Sequence, residues 1–120
     1  MRFMSFVRGA ENQGMPPQSL MDAMGKLIED SLKAGTLIET GGLAATSEAI
    51  RVRVENGSIN VVDGPYSEAK EMIGGYAIME YASKQDAIEG ARQFLALHAE
   101  HWPEWKGECE IREMVFSTNG

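Results

Sequence analysis

At 120 residues, with 43% apolar and 24% charged residues, the chain has the size and balance of one ordinary globular domain. A formal charge of −7 and the lack of any dense basic run argue against binding to nucleic acid or to anionic membranes. The single cysteine, Cys109, excludes an internal disulfide; with no apolar run of membrane-spanning length and no signal-peptide core, the expected location is cytoplasmic.

Phe3 to Val7 reads as a first strand, stopped by Gly9. After a polar loop, Pro16 and Pro17 suit a helix entry, where a missing N–H costs nothing. Leu20, Met21, Met24, Leu27, Ile28 and Leu32 then recur at helical spacing and predict one apolar stripe, closed by Gly35 as a left-handed cap. Thr36 to Thr40 reads as a second strand that Gly41-Gly42 interrupts.

Ile50 to Val54 and Ile59 to Val62 are two β-branched runs around Glu55-Asn56-Gly57, and Asn-Gly between such runs is a strong hairpin signal. Alternation puts Arg51 and Arg53 together on one face, read as solvated. Asp63-Gly64-Pro65 ends the hairpin. Tyr76 to Tyr81 follows the Gly74-Gly75 pair as a further strand.

Ser83 has the hydroxyl of an N-cap, with Asp86 three residues on. The helix it opens carries Ile88, Ala91, Leu95, His98 and Trp102 on one face, and Pro103 prevents its continuation. Ile111 to Phe116 reads as the last strand, before a loose tail. The order is β-α-β, an inserted hairpin, then β-α-β: an α+β, ferredoxin-like split β-α-β sandwich in one domain spanning 1–120. Two helices on one side leave the other sheet face bare. If that face is apolar, covering it by a two-fold copy is the simplest solution, and a homodimer is predicted.

The segment from Asp63 through Gly64, Pro65, Tyr66, Ser67, Glu68, Ala69, Lys70 and on to Gly74-Gly75-Tyr76 resembles the signature of the DGPF branch of the YCII-related family. Tyr66 stands where that signature carries phenylalanine. The likeness extends to Met24-Gly25-Lys26, Lys33-Ala34-Gly35, Gly41-Gly42-Leu43 and Gly107 to Met114. The resemblance implies a ferredoxin-like subunit that dimerises into an α+β barrel-like body, with the DGPF loop at a cleft. Family members are largely of unknown biochemical function. One branch has been proposed to use a His–Asp pair, but this chain has no histidine in its first half, where that branch carries its own. Some DGPF-type proteins accompany extracytoplasmic-function sigma factors, which implies a regulatory association.

Asp63 is the leading candidate site residue. A carboxylate at a strand end, stiffened by Gly64 and Pro65, can act as a general acid/base or an anchor; the same triplet also makes an ordinary turn. Tyr66, Glu68, Lys70, Gly75 and Tyr76 join Gly64 and Pro65 as substrate-binding candidates around a small polar metabolite. Weak ion pairs on a solvated loop explain the charges among them equally well. Ser67 to Lys70 matches a Ser-x-x-Lys pattern, but its companion motifs are missing.

His98 is the second catalytic candidate, as a neutral-pH base that can turn inward, although its place among Leu95 and Trp102 suits a core histidine. His98 and His101 with nearby glutamates show no spacing of a recognised zinc site, and no phosphate-binding glycine fingerprint occurs. No metal and no cofactor are expected. Glu108 and Glu110 beside Cys109 are expected to raise its pKa and quiet the thiol. Two functions stand side by side: a protein binding or transforming a small metabolite beside the DGPF loop, and a non-enzymatic regulatory or partner-binding module.

Overall fold

A computed structural model describes the backbone of residues 1–10, 13–63 and 71–118. In chain order the elements are β1 (Arg2–Ala10), α1 (Gln18–Ala34), β2 (Leu37–Gly42), a 3-10 turn (Thr46–Glu48), β3 (Ile50–Glu55), β4 (Ser58–Asp63), β5 (Glu71–Glu80), α2 (Lys84–His101) and β6 (Gly107–Glu113). Four strands form one sheet in the order β2-β5-β1-β6, and β3-β4 form a second, two-stranded sheet. Every pairing is antiparallel. The fold is α+β.

Register sorts the side chains of the larger sheet. Phe3 opposes Met79, Ser5 opposes Ala77, and Val7 opposes Gly75, so these residues share one face. That face carries the core, where Phe3, Met79 and Ala87 of α2 are buried and Leu37, Ala77, Tyr81 and Ile111 pack around them. The opposite face holds Met4, Phe6 and Ile78 between ion pairs. Arg2 meets Glu80 at 3.2 Å, while Glu110 takes Arg8 at 3.2 Å and Arg112 at 2.7 Å. Both arginines beside Glu110, Arg112 first, hold its carboxyl below the usual carboxylate range.

Several strands run further than the glycines in them suggest, and aromatic side chains explain two of these cases. Strand β1 passes through Gly9, where Trp105 lies alongside; the same indole blocks any Cβ at Gly107, the cross-strand partner of Gly9. Strand β2 passes through Gly41 because the Tyr76 ring lies over it, 2.8 Å from where a Cβ would stand. In β5 the pairing slips between Val7 and Arg8, which leaves Gly74 as a bulge residue opposite β1. The last strand is Gly107–Glu113 rather than Ile111 to Phe116. It pairs with β1 from Gly9 to Phe3, beyond which Val115 and Phe116 are exposed.

Local chemistry at the turns follows the residues closely. Gly35 takes φ 78°, and its N–H and that of Thr36 bond back to Leu32 and Ser31 at the end of α1. Asn56 and Gly57 both have positive φ in the β3-β4 turn. The Ser83 hydroxyl accepts the Asp86 N–H at 3.1 Å to open α2. Helix α1 has no such cap, because Pro17 occupies the N-cap rather than the first helical position. On α2, His98 and Trp102 of the expected face are buried, but at its start Ala87 is buried in place of the neighbouring Ile88, which is exposed.

Candidate functional site

The helix-side face of the sheet continues from the core into a cavity of about 750 Å³. Its floor includes Ser5 and Val7 of β1, Ala77 of β5 and Cys109 of β6. Met24, Leu27 and Ile28 of α1 line it too, as do Phe94 and His98 of α2 and the Trp102 and Trp105 indoles that follow. Sequence and fold explain this void. The apolar stripe of α1 repeats at helical spacing, but after the fully buried Leu20 its residues are only half covered. The stripe faces space rather than packed side chains.

Three polar groups stand on this lining near one end of α2 and the β1-β6 pair. His98 is buried at 7% exposure, and its Nδ1 lies 3.1 Å from the Phe94 carbonyl oxygen, one helical turn back. Donation from Nδ1 to that carbonyl is the tautomer that leaves Nε2 as the acceptor of a hydrogen bond. Phe94 and Trp105 hold the ring from two sides, with centroids at 4.7 and 4.5 Å. Ser5 is buried, and its hydroxyl hydrogen-bonds the half-buried Cys109 side chain. Burial pushes the Cys109 thiol above its ordinary pKa; the charge of Glu108 pushes the same way, and the bond to Ser5 opposes both. A raised thiol pKa is the wrong direction for a nucleophile. Burial is the main cause, ahead of the neighbouring carboxylates.

The other sequence candidates fall elsewhere. Asp63 closes β4, where its backbone pairs with Ile50 in the two-stranded sheet; its side chain lies outside the described residues. Gly64, Pro65, Tyr66, Glu68 and Lys70 lie outside them as well. Gly75 is buried at the cavity wall, and a Cβ there would stand 3.0 Å from the Gly41 carbonyl oxygen, so close strand packing suffices to explain the glycine. Tyr76 also borders the cavity, yet its hydroxyl donates a hydrogen bond to Glu39. That bond, with a smaller effect of burial and of the Glu39 charge, raises the Tyr76 pKa and keeps the phenol protonated. His98 is therefore the catalytic candidate that the structure places on the cavity.

Sequence reasoning did not anticipate Phe94 and Trp105 as the rings against His98, or Ser5 on the same cavity lining. Phe94 sits four residues before His98 on the helix, a spacing that could have signalled the stacked pair. Ser5 and Trp105 come from distant segments, and no local pattern joins them. Among the described residues, no group of three or more His, Cys, Asp or Glu side chains could hold a metal ion. No described helix is long and apolar enough to cross a membrane.

These features define an α+β domain with a ligand-sized, mostly apolar cavity between its sheet and its helices. The model of the YCII-related domain matches residues 1–105, and the chain belongs to that family. It is also 34% identical over 61 residues to an uncharacterised protein of Rhizobium meliloti (strain 1021). That match covers 51% of this chain and 49% of the relative, so the chain spans about half the length of the curated relative it matches.

Proposed function

We propose that this YCII-related chain is a small-molecule-binding protein whose ligand occupies the cavity between the sheet and α1. The observation that carries the reading is the cavity itself. Its volume of about 750 Å³ lies within the ~300–1,000 Å³ of ligand sites, and its lining is mostly apolar with a few polar groups, as in such sites. This character shifts the expected ligand from a wholly polar metabolite to one with an apolar body and a hydrogen-bonding end. His98 Nε2 is the group that would accept from that end, or take its proton. Asp63 keeps a proposed part as acid/base or anchor because it opens the DGPF segment, and β5 further along the chain brings Gly75 and Tyr76 to the cavity.

The strand order β2-β5-β1-β6 supports a ferredoxin-like split β-α-β arrangement with the β3-β4 hairpin inserted. The open face bearing Met4, Phe6 and Ile78 supports a homodimer paired through it.

A thermal-shift screen of a metabolite library tests the binding reading on wild type, Leu27→Trp and Asp63→Asn in parallel. A ligand at a hundred times its dissociation constant adds about 2.7 kcal/mol, which moves the melting point of a domain this size by several degrees. A shift that disappears in Leu27→Trp places the ligand in the cavity. Loss in Asp63→Asn as well brings the DGPF loop into the site. No shift in the wild type with any apolar-bodied compound overturns the reading.

A further inference from the structure

The hairpin β3-β4 has one face that is aliphatic at five of its six positions, with Asp63 at its end opposite Ile50. The register pairs Val52 with Val61 and Val54 with Ile59, and Ile50 follows on the same side by alternation. Side chains that fold together are expected to bury a face of this kind. Instead Ile50, Val52, Val54, Ile59 and Val61 are 65% to 72% exposed. The two strands pair with each other in a sheet of their own, apart from the four-stranded one. A lone two-stranded hairpin is marginally stable in water at best. The described chain is also broader than a packed globule: its radius of gyration is 16.2 Å, against about 14 Å expected for this length.

We infer that the hairpin is an arm that packs its aliphatic face onto a second copy of the chain. Area is the first argument. At roughly 100 Å² for each β-branched side chain, the five present on the order of 500 Å², at the upper end of what monomers leave exposed. Two arms exchanged across a two-fold axis, with the surface they cover on the other copy, remove roughly 2,000 Å² from water, the size of a stable protein–protein interface. The second argument is shape. A flat, β-branched strand face packs on another sheet face at about 10 Å, and a second copy brings a two-stranded sheet of its own besides the four-stranded one. The inference rests on the pairing of two copies proposed above, and adds the arm as a contact that pairing requires.

The test is sedimentation equilibrium of the full chain over a concentration series. It compares wild type with an arm variant, Val54→Lys with Ile59→Glu, and a sheet-face variant, Phe6→Glu. The arm variant places opposite charges directly across the ladder, which keeps the hairpin paired. Circular dichroism and the melting curve establish that each variant is folded. If the arm variant fails to fold, Val52→Thr with Val61→Thr replaces it, since threonine keeps the β-branched shape.

The wild type is expected to be a dimer, and the arm variant to dissociate at least about 100-fold more readily. An arm variant that dimerises as tightly as the wild type overturns the inference; if Phe6→Glu is then monomeric, pairing through the sheet face still stands. A dimer that survives Phe6→Glu but not the arm variant removes the sheet-face pairing and keeps the arm. A monomeric wild type overturns both, and assigns the aliphatic face to a different partner.

Discussion

The two helices lie over the same side of one sheet and do different work. Helix α2 opens on a side-chain cap, buries Ala87 completely, and closes with His98 and Trp102 packed against its neighbours. Helix α1 opens on Pro17 without a side-chain cap and buries only Leu20; Met24, Leu27 and Ile28 then face the cavity, while Met21 and Leu32 are about half exposed. Yet α1 has the clearer apolar stripe in the sequence. An apolar stripe states what a helix face avoids, and leaves open whether the space opposite holds side chains or a ligand. In this domain α2 reaches the core through Ala87 and lines the cavity through Phe94 and His98, whereas α1 beyond Leu20 only lines the cavity.

Two substitutions of one chemistry sharpen the contrast. Leu20→Ala removes a side chain that is fully buried, and is expected to destabilise the chain by about 2–5 kcal/mol. Leu27→Ala trims a half-covered side chain beside an existing void, so it leaves little new cavity and is expected to cost about 1 kcal/mol. Urea denaturation of both variants checks the difference. Equal losses would show that α1 packs as tightly along its length as α2, and would remove the cavity as a feature of the fold.

The caps allow the next comparison. Ser83→Ala deletes the hydroxyl that accepts the Asp86 N–H, and is expected to cost about 1 kcal/mol. The expected change is a lower denaturation midpoint with an unchanged slope. At α1 no side-chain acceptor exists to delete, so Pro17→Ala should lose no cap bond. A Ser83→Ala variant as stable as the wild type would mean that tertiary packing alone holds the start of α2.

Features that depend on a few adjacent residues were legible in the sequence. Gly35, Asn56-Gly57 and Ser83 each answer a local backbone demand, and each appears as expected. The family was legible too, from the run between Asp63 and Tyr76. What escaped was decided across the sheet. Gly9 and Gly41 read as strand ends, but Trp105 and Tyr76 lie against the bare backbone there and let the strands continue. The burial of Ala87 rather than Ile88 at the start of α2 follows from contact with Phe3 and Met79, which lie far away in sequence. The candidate site was legible in part: His98 was singled out, while Trp105, stacked on it, and Ser5, on the same cavity lining, come from other segments. Residues 64–70 lie outside the described residues, so the structure leaves those candidates as the sequence presents them.

The smallest expected effect concerns Gly25, and it tests whether α1 is kept loose. This glycine sits in the middle of α1, exposed, with nothing within 4 Å of where a Cβ would be. Neither a positive φ nor a close neighbour calls for glycine there. Gly25→Ala should therefore stabilise the chain by about 0.5–1 kcal/mol, by relieving the entropy cost of a mid-helix glycine. A higher melting point with unchanged ligand response would make Gly25 incidental. A higher melting point with weakened ligand response would show that α1 must flex to admit the ligand, with the cost of Gly25 falling on the helix that forms the wall. No stabilisation at all would mean that the α1 backbone near Gly25 departs from regular helix in solution, against the continuous α1 described above.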